Sequence, residues 1–136
     1  MTSIAIIIFS PHKTNFETLT EKINKKYCIT NNYDLFTFNK FPVLMENKSY
    51  NWCSYYYVLE VLQKQEKKYN YVLYIDSNCF FCDYNIRIEQ WIESDKNIHI
   101  GLDTTVKYIF KKNNPTKVKT NTIIFKNSDW TIDFLN

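Results

Sequence analysis

The sequence predicts a single α/β domain over residues 1–136, with a sheet covered by helices on both sides in a three-layer sandwich. Three observations predict this fold class. The length of 136 residues suits one domain. The chain is 45% hydrophobic and 23% charged, close to the averages for globular proteins, which excludes wholesale disorder. Apolar, β-branched runs alternate with segments of helical periodicity.

The first third of the chain predicts a strand, a helix and a second strand. Ile4–Phe9 is continuously apolar, as expected for a strand buried on both faces. Asn15 is the predicted N-cap of a helix from Phe16 to about Tyr27. Tyr33–Phe38 follows a turn and is rich in β-formers. The predicted inner face of the helix, from residues three and four apart, is Phe16, Leu19, Ile23 and Tyr27.

The middle of the chain predicts a loop, a long helix and the strongest strand. Residues 42–51 have the composition of a loop. A helix is predicted for Trp52–Lys68, because apolar residues recur at helical spacing before a Lys/Gln/Glu-rich end. Tyr71–Ile75 is an apolar strand that ends on Asp76-Ser77-Asn78. The predicted buried residues of the long helix are Tyr55, Val58, Leu59 and Leu62.

The last third predicts shorter elements. Alternation of apolar and polar residues predicts strands, and Ser128 or Asp129 is a suitable N-cap for a terminal helix. Because strands and helices alternate, the sheet is predicted to be mainly parallel. The elements are a helix at Ile86–Ile92, strands at Ile98–Leu102, Thr104–Phe110 and Thr122–Phe125, a turn at 111–117, and a helix that ends at Leu135.

Ligands of open α/β sheets bind beyond the carboxyl ends of the strands. The residues that follow the predicted strands at that edge are therefore the candidate binding residues. They are Ser10, Pro11, Asp76, Ser77, Asn78 and Asp103.

Composition excludes several common sites. The chain contains one glycine, whereas P-loops, dinucleotide-binding turns, kinase glycine-rich loops and nucleophile elbows each need at least two. The net charge of +3 is mild and the lysines are scattered, so nucleic acid is not an expected partner. No apolar run is long enough to span a bilayer and no leader is visible, so we expect a cytoplasmic protein with no membrane partner. The Lys-, Asn- and Ile-rich composition is typical of an AT-rich genome, such as that of a giant virus.

Asp76 and Asn78 have two interpretations. A carboxylate and an amide oxygen two residues apart at a strand end can hold a hard divalent cation or a nucleotide ribose. Equally, Asp and Asn are common in turns that follow buried strands. The residues themselves leave both interpretations open.

The segment around Asp76 resembles the Asp-x-Asp region of GT-A fold nucleotide-sugar glycosyltransferases, with the closest likeness to glycosyltransferase family 34. In that family a similar strand delivers Asp-(Ala/Ser)-Asp. The chain also ends in a segment that resembles the family's basic-Asn-Ser-x-Trp motif and the Phe-Leu that follows it. The matching segments, in the same order, are 26–29, 32–35, 50–52, 69–78, 124–130 and 133–135.

The resemblance implies a Rossmann-like half-domain that binds a nucleoside-diphosphate sugar through Mn²⁺ or Mg²⁺. Carried over by position, Ser10 and Pro11 would border the nucleoside, and Asp76 and Asn78 would hold the metal with Ser77 between them. Asp103 would line the same edge from the neighbouring strand.

The sequence also departs from the family pattern. Asn78 replaces the second acid of the Asp-x-Asp motif, and Cys53-Ser54 follows Trp52 where the family usually has a basic residue. The chain also ends where a complete enzyme would continue into its acceptor-binding half. We therefore expect a truncated relative with a vestigial site, which does not transfer sugars by itself. A homodimer could supply the missing part of the site.

Two other functions stay open from the sequence. The same fold could serve as a binding or interaction module without a ligand. Alternatively, Cys79 and Cys82 form a Cys-x-x-Cys pair, which in a thioredoxin-like protein would be a redox site if a helix began there. Zinc is not expected, because the other cysteines and histidines form no second close pair.

Overall fold

The computed structural model describes residues 2–45, 48–63, 68–102 and 118–136. These residues form a mixed α/β domain with one five-stranded sheet, as the sequence predicts. The strands are β1 (Ile4–Phe9), β2 (Asp34–Phe38), β3 (Tyr71–Asp76), β4 (Ile98–Leu102) and β5 (Val118–Lys126), and the helices are α1 (Asn15–Asn31), α2 (Tyr50–Leu62) and α3 (Asp129–Leu135).

The sheet has the strand order β2-β1-β3-β5-β4. β1 pairs in parallel with both β2 and β3, whereas β5 runs antiparallel to both β3 and β4. Four of the five strands therefore point the same way, which confirms the mainly parallel sheet and adds one reversed strand. The carboxyl ends of β1, β3 and β4 consequently share one edge of the sheet.

The two long helices cover opposite faces of the sheet. Tyr27 and Cys28 of α1 pack with Ile6 and Leu73 on one face, whereas α2 packs with Ile7, Phe9 and Val72 on the other face. The chain leaves β1 through α1 to reach β2 and returns through α2 to β3, on the other side of β1. The switch point of the topology thus lies between β1 and β3, where open α/β folds form a ligand crevice.

The boundaries of α1 differ from the prediction. Thr14, not Asn15, is the N-cap: its hydroxyl accepts the Glu17 N–H, and the Glu17 side chain accepts the Thr14 N–H in return. This reciprocal capping box fixes where the helix begins. The helix ends at Asn31, and its C-cap residue, Asn32, adopts a left-handed conformation with φ of 60°.

The predicted inner face of α1 was partly wrong. Tyr27 is buried, but Phe16 and Leu19 are 53% and 54% exposed. The helix buries polar residues instead, because these side chains hydrogen-bond to the segment that follows β3. They are Thr20, Asn24 and Asn31.

α2 begins earlier and ends earlier than predicted, since Tyr50–Leu62 replaces Trp52–Lys68. Val58 and Leu62 are buried as predicted, whereas Tyr55 and Leu59 are only partly buried. Three further residues of the helix, Cys53, Tyr57 and Val61, contribute to the core beneath it.

The remaining elements follow the prediction with three differences. The segment predicted as a helix at Ile86–Ile92 forms only a 3₁₀ turn, Ile88–Trp91. A second 3₁₀ turn, Val43–Met45, lies in the predicted loop. β5 is longer than predicted, at Val118–Lys126. Ser128 caps α3 as predicted, and the strand and turn predicted for residues 104–117 lie outside the described residues.

Candidate functional site

The candidate site lies at the switch point, where β1 and β3 end side by side. Phe9, the last residue of β1, is paired in register with Asp76, the last residue of β3. Ser10 and Pro11 therefore leave the sheet beside Ser77 and Asn78. The structure thus brings five of the six predicted site residues to one edge, and the sixth, Asp103, lies outside the described residues.

Ser10 is held at the edge by its backbone. Its N–H donates to the Phe38 carbonyl at 2.8 Å, and the residue is only 3% exposed. The Ser10 hydroxyl oxygen is buried and makes no hydrogen bond of normal geometry to a described residue. It lies close enough to the Glu17 carboxylate, however, to be one of the groups that lower the pKa of Glu17.

An aromatic contact follows Ser10 on the β2 side of the edge. The His12 and Phe41 ring centroids are 6.0 Å apart, and Phe41 meets Phe9 edge to face at 5.6 Å. Both His12 and Phe41 are exposed. The two rings are inclined by 54°, so each offers a separate solvent-accessible face close to the Ser10 backbone.

The Asp76 carboxylate lies on the α2 face of the sheet. Asp76 is partly buried, and its Oδ1 accepts a hydrogen bond from the Tyr74 hydroxyl, two residues earlier on β3. The Tyr55 ring of α2 packs against Tyr74 with centroids 6.1 Å apart. Burial, and then the charge of Asp76, raise the pKa of Tyr55, which indicates that the two side chains are close.

Ser77 points to the opposite face, toward α1. Its hydroxyl donates to Glu17 Oε1, and its carbonyl accepts from Thr20 Oγ1 at 2.7 Å. The Ser77 hydrogen bond is the largest cause that lowers the pKa of Glu17, followed by the Thr14 N–H. Consecutive residues of the predicted motif therefore contribute to different faces of the edge.

Asn78 is exposed in a tight turn after β3. The turn is closed by the Cys79 N–H, which donates to the Asp76 carbonyl at 2.9 Å. The side-chain oxygen of Asn78 accepts a weak hydrogen bond from the Cys79 thiol at 3.5 Å. The segment therefore forms a turn, as one of its two interpretations predicts. The turn leaves the Asn78 amide accessible to a ligand.

A polar stripe on α1 fixes the segment that follows the turn. Its members are three or four residues apart, which places them on one face of the helix. Asn24 donates to the Cys79 carbonyl at 2.9 Å and accepts from the Phe81 N–H at 3.1 Å. The stripe consists of Glu17, Thr20, Asn24, Tyr27 and Asn31, each bonded to a residue between Ser77 and Ile86.

This stripe was not predicted from the sequence, although the sequence contains two signals for it. Thr14 and Glu17 match the Thr-x-x-Glu capping pattern, and Thr20, Asn24 and Asn31 are polar residues at helical spacing. A helix prediction places apolar residues inward by default, because an isolated sequence does not indicate which backbone groups a buried amide will meet.

The described residues provide few metal ligands. Within the described ranges, no three His, Cys, Asp or Glu side chains come together. Asp76 offers one carboxylate, already bonded to Tyr74 through Oδ1, and Asn78 offers a neutral amide oxygen. Mg²⁺ is commonly bound by one or two carboxylates together with substrate phosphates. The donor set therefore fits a cation only when a diphosphate completes its coordination.

The Asn-Ser pair of the carboxyl-terminal motif has a structural role away from this edge. Lys126 pairs with Tyr71, at the opposite end of β3 from Asp76. The Asn127 amide donates to the carbonyls of Tyr69 at 2.8 Å and Leu62 at 3.3 Å, and so joins the end of α2 to the segment that precedes β3. Ser128 caps α3 through the Thr131 N–H.

The Cys-x-x-Cys pair is not placed at the beginning of a helix. Residues 79–87 form turns and irregular backbone, so neither Cys79 nor Cys82 stands at the N-terminus of a helix, where a thiol pKa would be lowered. None of the four cysteines, all within the described ranges, forms a disulfide. Cys79 is partly buried and Cys82 is exposed.

Comparisons with known proteins support the fold. No protein-family model matches the sequence, and no curated protein matches it. Among solved structures, the chain is similar to a glycosyltransferase involved in the glycosylation of the major capsid of PBCV-1, with a TM-score of 0.74 and 16% sequence identity. The chain has a glycosyltransferase-like fold. The match covers 98% of this chain and 63% of the other, so the likeness concerns this part of that protein, and at this identity it establishes the fold alone.

No helix within the described ranges has both the length and the apolar composition needed to cross a membrane.

Proposed function

We propose that this chain binds a nucleoside diphosphate or a nucleoside-diphosphate sugar at the edge formed by the carboxyl ends of β1 and β3. The observation that carries the proposal is the register at the switch point, where Phe9 pairs with Asp76, so that Ser10 leaves the sheet beside the turn Asp76–Asn78. The glycosyltransferase-like fold makes a nucleotide sugar the first ligand class to test.

The two halves of the edge suit the two halves of such a ligand. Next to Ser10, the exposed rings of His12 and Phe41 offer a surface on which a base can stack. Next to Asp76, the exposed Asn78 amide and the turn backbone face the solvent. A nucleoside on the β1 side would thus place its diphosphate on the β3 side.

The proposed site also includes a divalent cation, beside the nucleoside and the diphosphate. Asp76 and Asn78 would hold Mn²⁺ or Mg²⁺ together with diphosphate oxygens, and the cation would neutralise the charge of the phosphates when bound. Because Asn78 supplies no charge, we expect no measurable cation binding without the nucleotide.

We do not expect glycosyl transfer by this chain alone. At the two motif positions this chain has Asp76 and the neutral Asn78, where the family pattern has two carboxylates. A site of this kind would bind a nucleotide sugar without activating its leaving group strongly.

Thermal unfolding with ligands tests the proposal. Binding at ten times Kd stabilises the native state by about 1.4 kcal/mol, which raises the Tm of a domain of this size by about 5 °C. We expect UDP or GDP, or one of their sugars, to raise Tm in the presence of MnCl₂, and Asp76→Ala to abolish the shift. Asp133→Ala, which removes an exposed carboxylate on α3, is the matched control. No shift with any of these ligands would overturn the proposal.

One observation favours a second candidate, an interaction module without a ligand. Asp76 Oδ1 already accepts the Tyr74 hydroxyl, so the carboxylate has a structural partner within the domain. In that case nucleotides would leave Tm unchanged, and Asp76→Ala would lower the Tm of the protein alone.

A further inference from the structure

Glu17 connects the two segments that form the candidate site. One of its carboxylate oxygens, Oε2, accepts the Thr14 N–H at 2.7 Å, in the connection between β1 and α1. The other, Oε1, accepts the hydroxyl of Ser77, which follows β3 and lies 60 residues further along the chain. A single side chain thus joins the loop after β1 to the turn after β3.

Ser77 is held from both ends. Its hydroxyl reaches Glu17, and its carbonyl accepts the Thr20 hydroxyl one turn further along α1. Ser77 therefore cannot move relative to α1 without the loss of at least two hydrogen bonds. Bonds to an ionised acceptor are stronger than bonds between neutral groups, so Glu17 provides the stronger of the two connections.

The position of Glu17 differs from that of a ligand-binding group. Both of its oxygens already accept hydrogen bonds from the protein. Its Ser77 partner points to the α1 face, whereas the Asp76 carboxylate lies on the α2 face with Tyr74. Glu17 therefore fixes the spacing of the two segments from the α1 face, opposite to the Asp76 carboxylate.

We propose that Glu17 is a positioning residue, which holds the loop after β1 and the turn after β3 at the separation that a nucleoside diphosphate requires. The inference rests on the proposed function. A ligand that spans both segments gains affinity when their separation is fixed in advance, because binding then does not have to order them. A ligand that contacts only one segment gains nothing from this connection.

This distinction provides a test, because a residue that only stabilised the fold would not affect the three kinds of ligand differently. The nucleoside diphosphate spans both segments, whereas the nucleoside contacts only the first and inorganic pyrophosphate only the second. We expect Glu17→Gln to weaken the binding of the nucleoside diphosphate about tenfold. The affinities for the nucleoside and for pyrophosphate should change by less than about twofold.

The experiment is a set of titrations followed by NMR, with Mg²⁺ present throughout. The ligands are UDP or GDP, whichever the wild type binds, the matching nucleoside, and pyrophosphate. Ser77→Ala removes the same connection from the other side and serves if Glu17→Gln does not fold. Glu60→Gln is the matched control, since Glu60 is exposed near the end of α2, outside both segments.

Coupling between the two variants provides the second readout. If both act through one hydrogen bond, the double variant binds the diphosphate no more weakly than either single variant. Equal losses for all three ligands, no loss in Glu17→Gln, or additive losses in the double variant would overturn the inference. A wild type that binds none of the ligands overturns the proposed function instead, so the two failures are distinguishable.

Discussion

The Tyr74 hydroxyl donates a hydrogen bond to the Asp76 carboxylate, so the acid at the end of β3 is oriented by a residue of the same strand. Tyr74 is 4% exposed and packs in the core beneath α2. The aromatic core and the candidate site are therefore connected through one side chain. Such partners commonly orient metal-binding carboxylates.

Tyr74→Phe tests this relationship, because it keeps the ring and removes the hydroxyl. If Asp76 holds a cation with the diphosphate, the loss of its orienting partner should weaken Mn²⁺-dependent nucleotide binding about tenfold. Calorimetric titration of the nucleotide, with and without MnCl₂, measures the effect. Equal affinities in the wild type and the variant would mean that the hydrogen bond only stabilises the fold.

The second prediction concerns Asn24, whose amide bonds to the backbone of both Cys79 and Phe81. Asn24→Ala removes both hydrogen bonds, so we expect a loss of about 2 to 3 kcal/mol in the free energy of unfolding. Urea denaturation measures this loss, and hydrogen exchange at the Phe81 amide should accelerate. Asn15→Ala, at an exposed position of α1, should change stability by about 0.5 kcal/mol or less.

If Asn24→Ala were no less stable than Asn15→Ala, the polar stripe on α1 would not be what holds the segment after β3.

The third prediction is a pH dependence from Glu89. Burial alone would raise the pKa of Glu89, but hydrogen bonds from Arg87 and Tyr33 outweigh it and lower the pKa to about 2. A carboxyl whose pKa is lower in the folded state stabilises the fold above its unfolded value of about 4.5 and loses that contribution as the pH falls toward 2.

Glu89→Gln should therefore be less stable than the wild type at pH 7, by about 1 to 2 kcal/mol once partial exposure is allowed for. The difference should shrink between pH 4.5 and pH 2. Urea denaturation at pH 7, 4 and 3 measures both curves. A difference that stays constant over this range would contradict the assignment.

The fourth prediction concerns the cysteines. Burial, followed by the charge of Asp34, raises the pKa of the Cys28 thiol to about 12, and burial also raises the pKa of Cys53. Thiolates are the reactive form, so both should resist alkylation in the native protein. Mass spectrometry after brief iodoacetamide treatment should find Cys82 labelled first, because it is exposed. Rapid labelling of Cys28 or Cys53 would show that the core opens readily.

Much of the fold could be predicted from the sequence, because the signals were strong and local. Ile4–Phe9 is apolar at every position and is buried at every position. Tyr71–Ile75 was predicted as a strand for the same reason, and the structure extends it by Asp76 alone. Four of the five strands also point the same way, as the alternation of strands and helices predicts.

The differences arise where a distant backbone group decided the outcome. Phe16 and Leu19 were predicted to face inward because apolar residues usually do, but the segment after β3 offers carbonyls and N–H groups that polar residues of α1 satisfy. The predicted helix at Ile86–Ile92 is instead a short 3₁₀ turn at Ile88–Trp91, whose first N–H donates to the Tyr33 hydroxyl at 3.1 Å.

The position of the candidate site was predicted from the sequence, but the contacts that orient its residues were not. The carboxyl-end rule placed Ser10 and Asp76 at one edge, and the structure brings them there. Neither Tyr74 nor Glu17 was identified, because the first is a core residue by pattern and the second an ordinary surface acid. Their contacts depend on which side of β3 each residue faces, which only the folded sheet determines.

Paramagnetic broadening by Mn²⁺ tests the central claim most directly, because it locates the ion in the folded protein. The measurement is a ¹H–¹⁵N correlation spectrum with UDP or GDP and substoichiometric MnCl₂, compared with MgCl₂. We expect the amides of Ser10 and residues 76–79 to broaden first, and those of residues 126–128, at the opposite edge, to stay sharp. Broadening at another surface, or no difference from MgCl₂, would contradict a nucleotide site at the ends of β1 and β3.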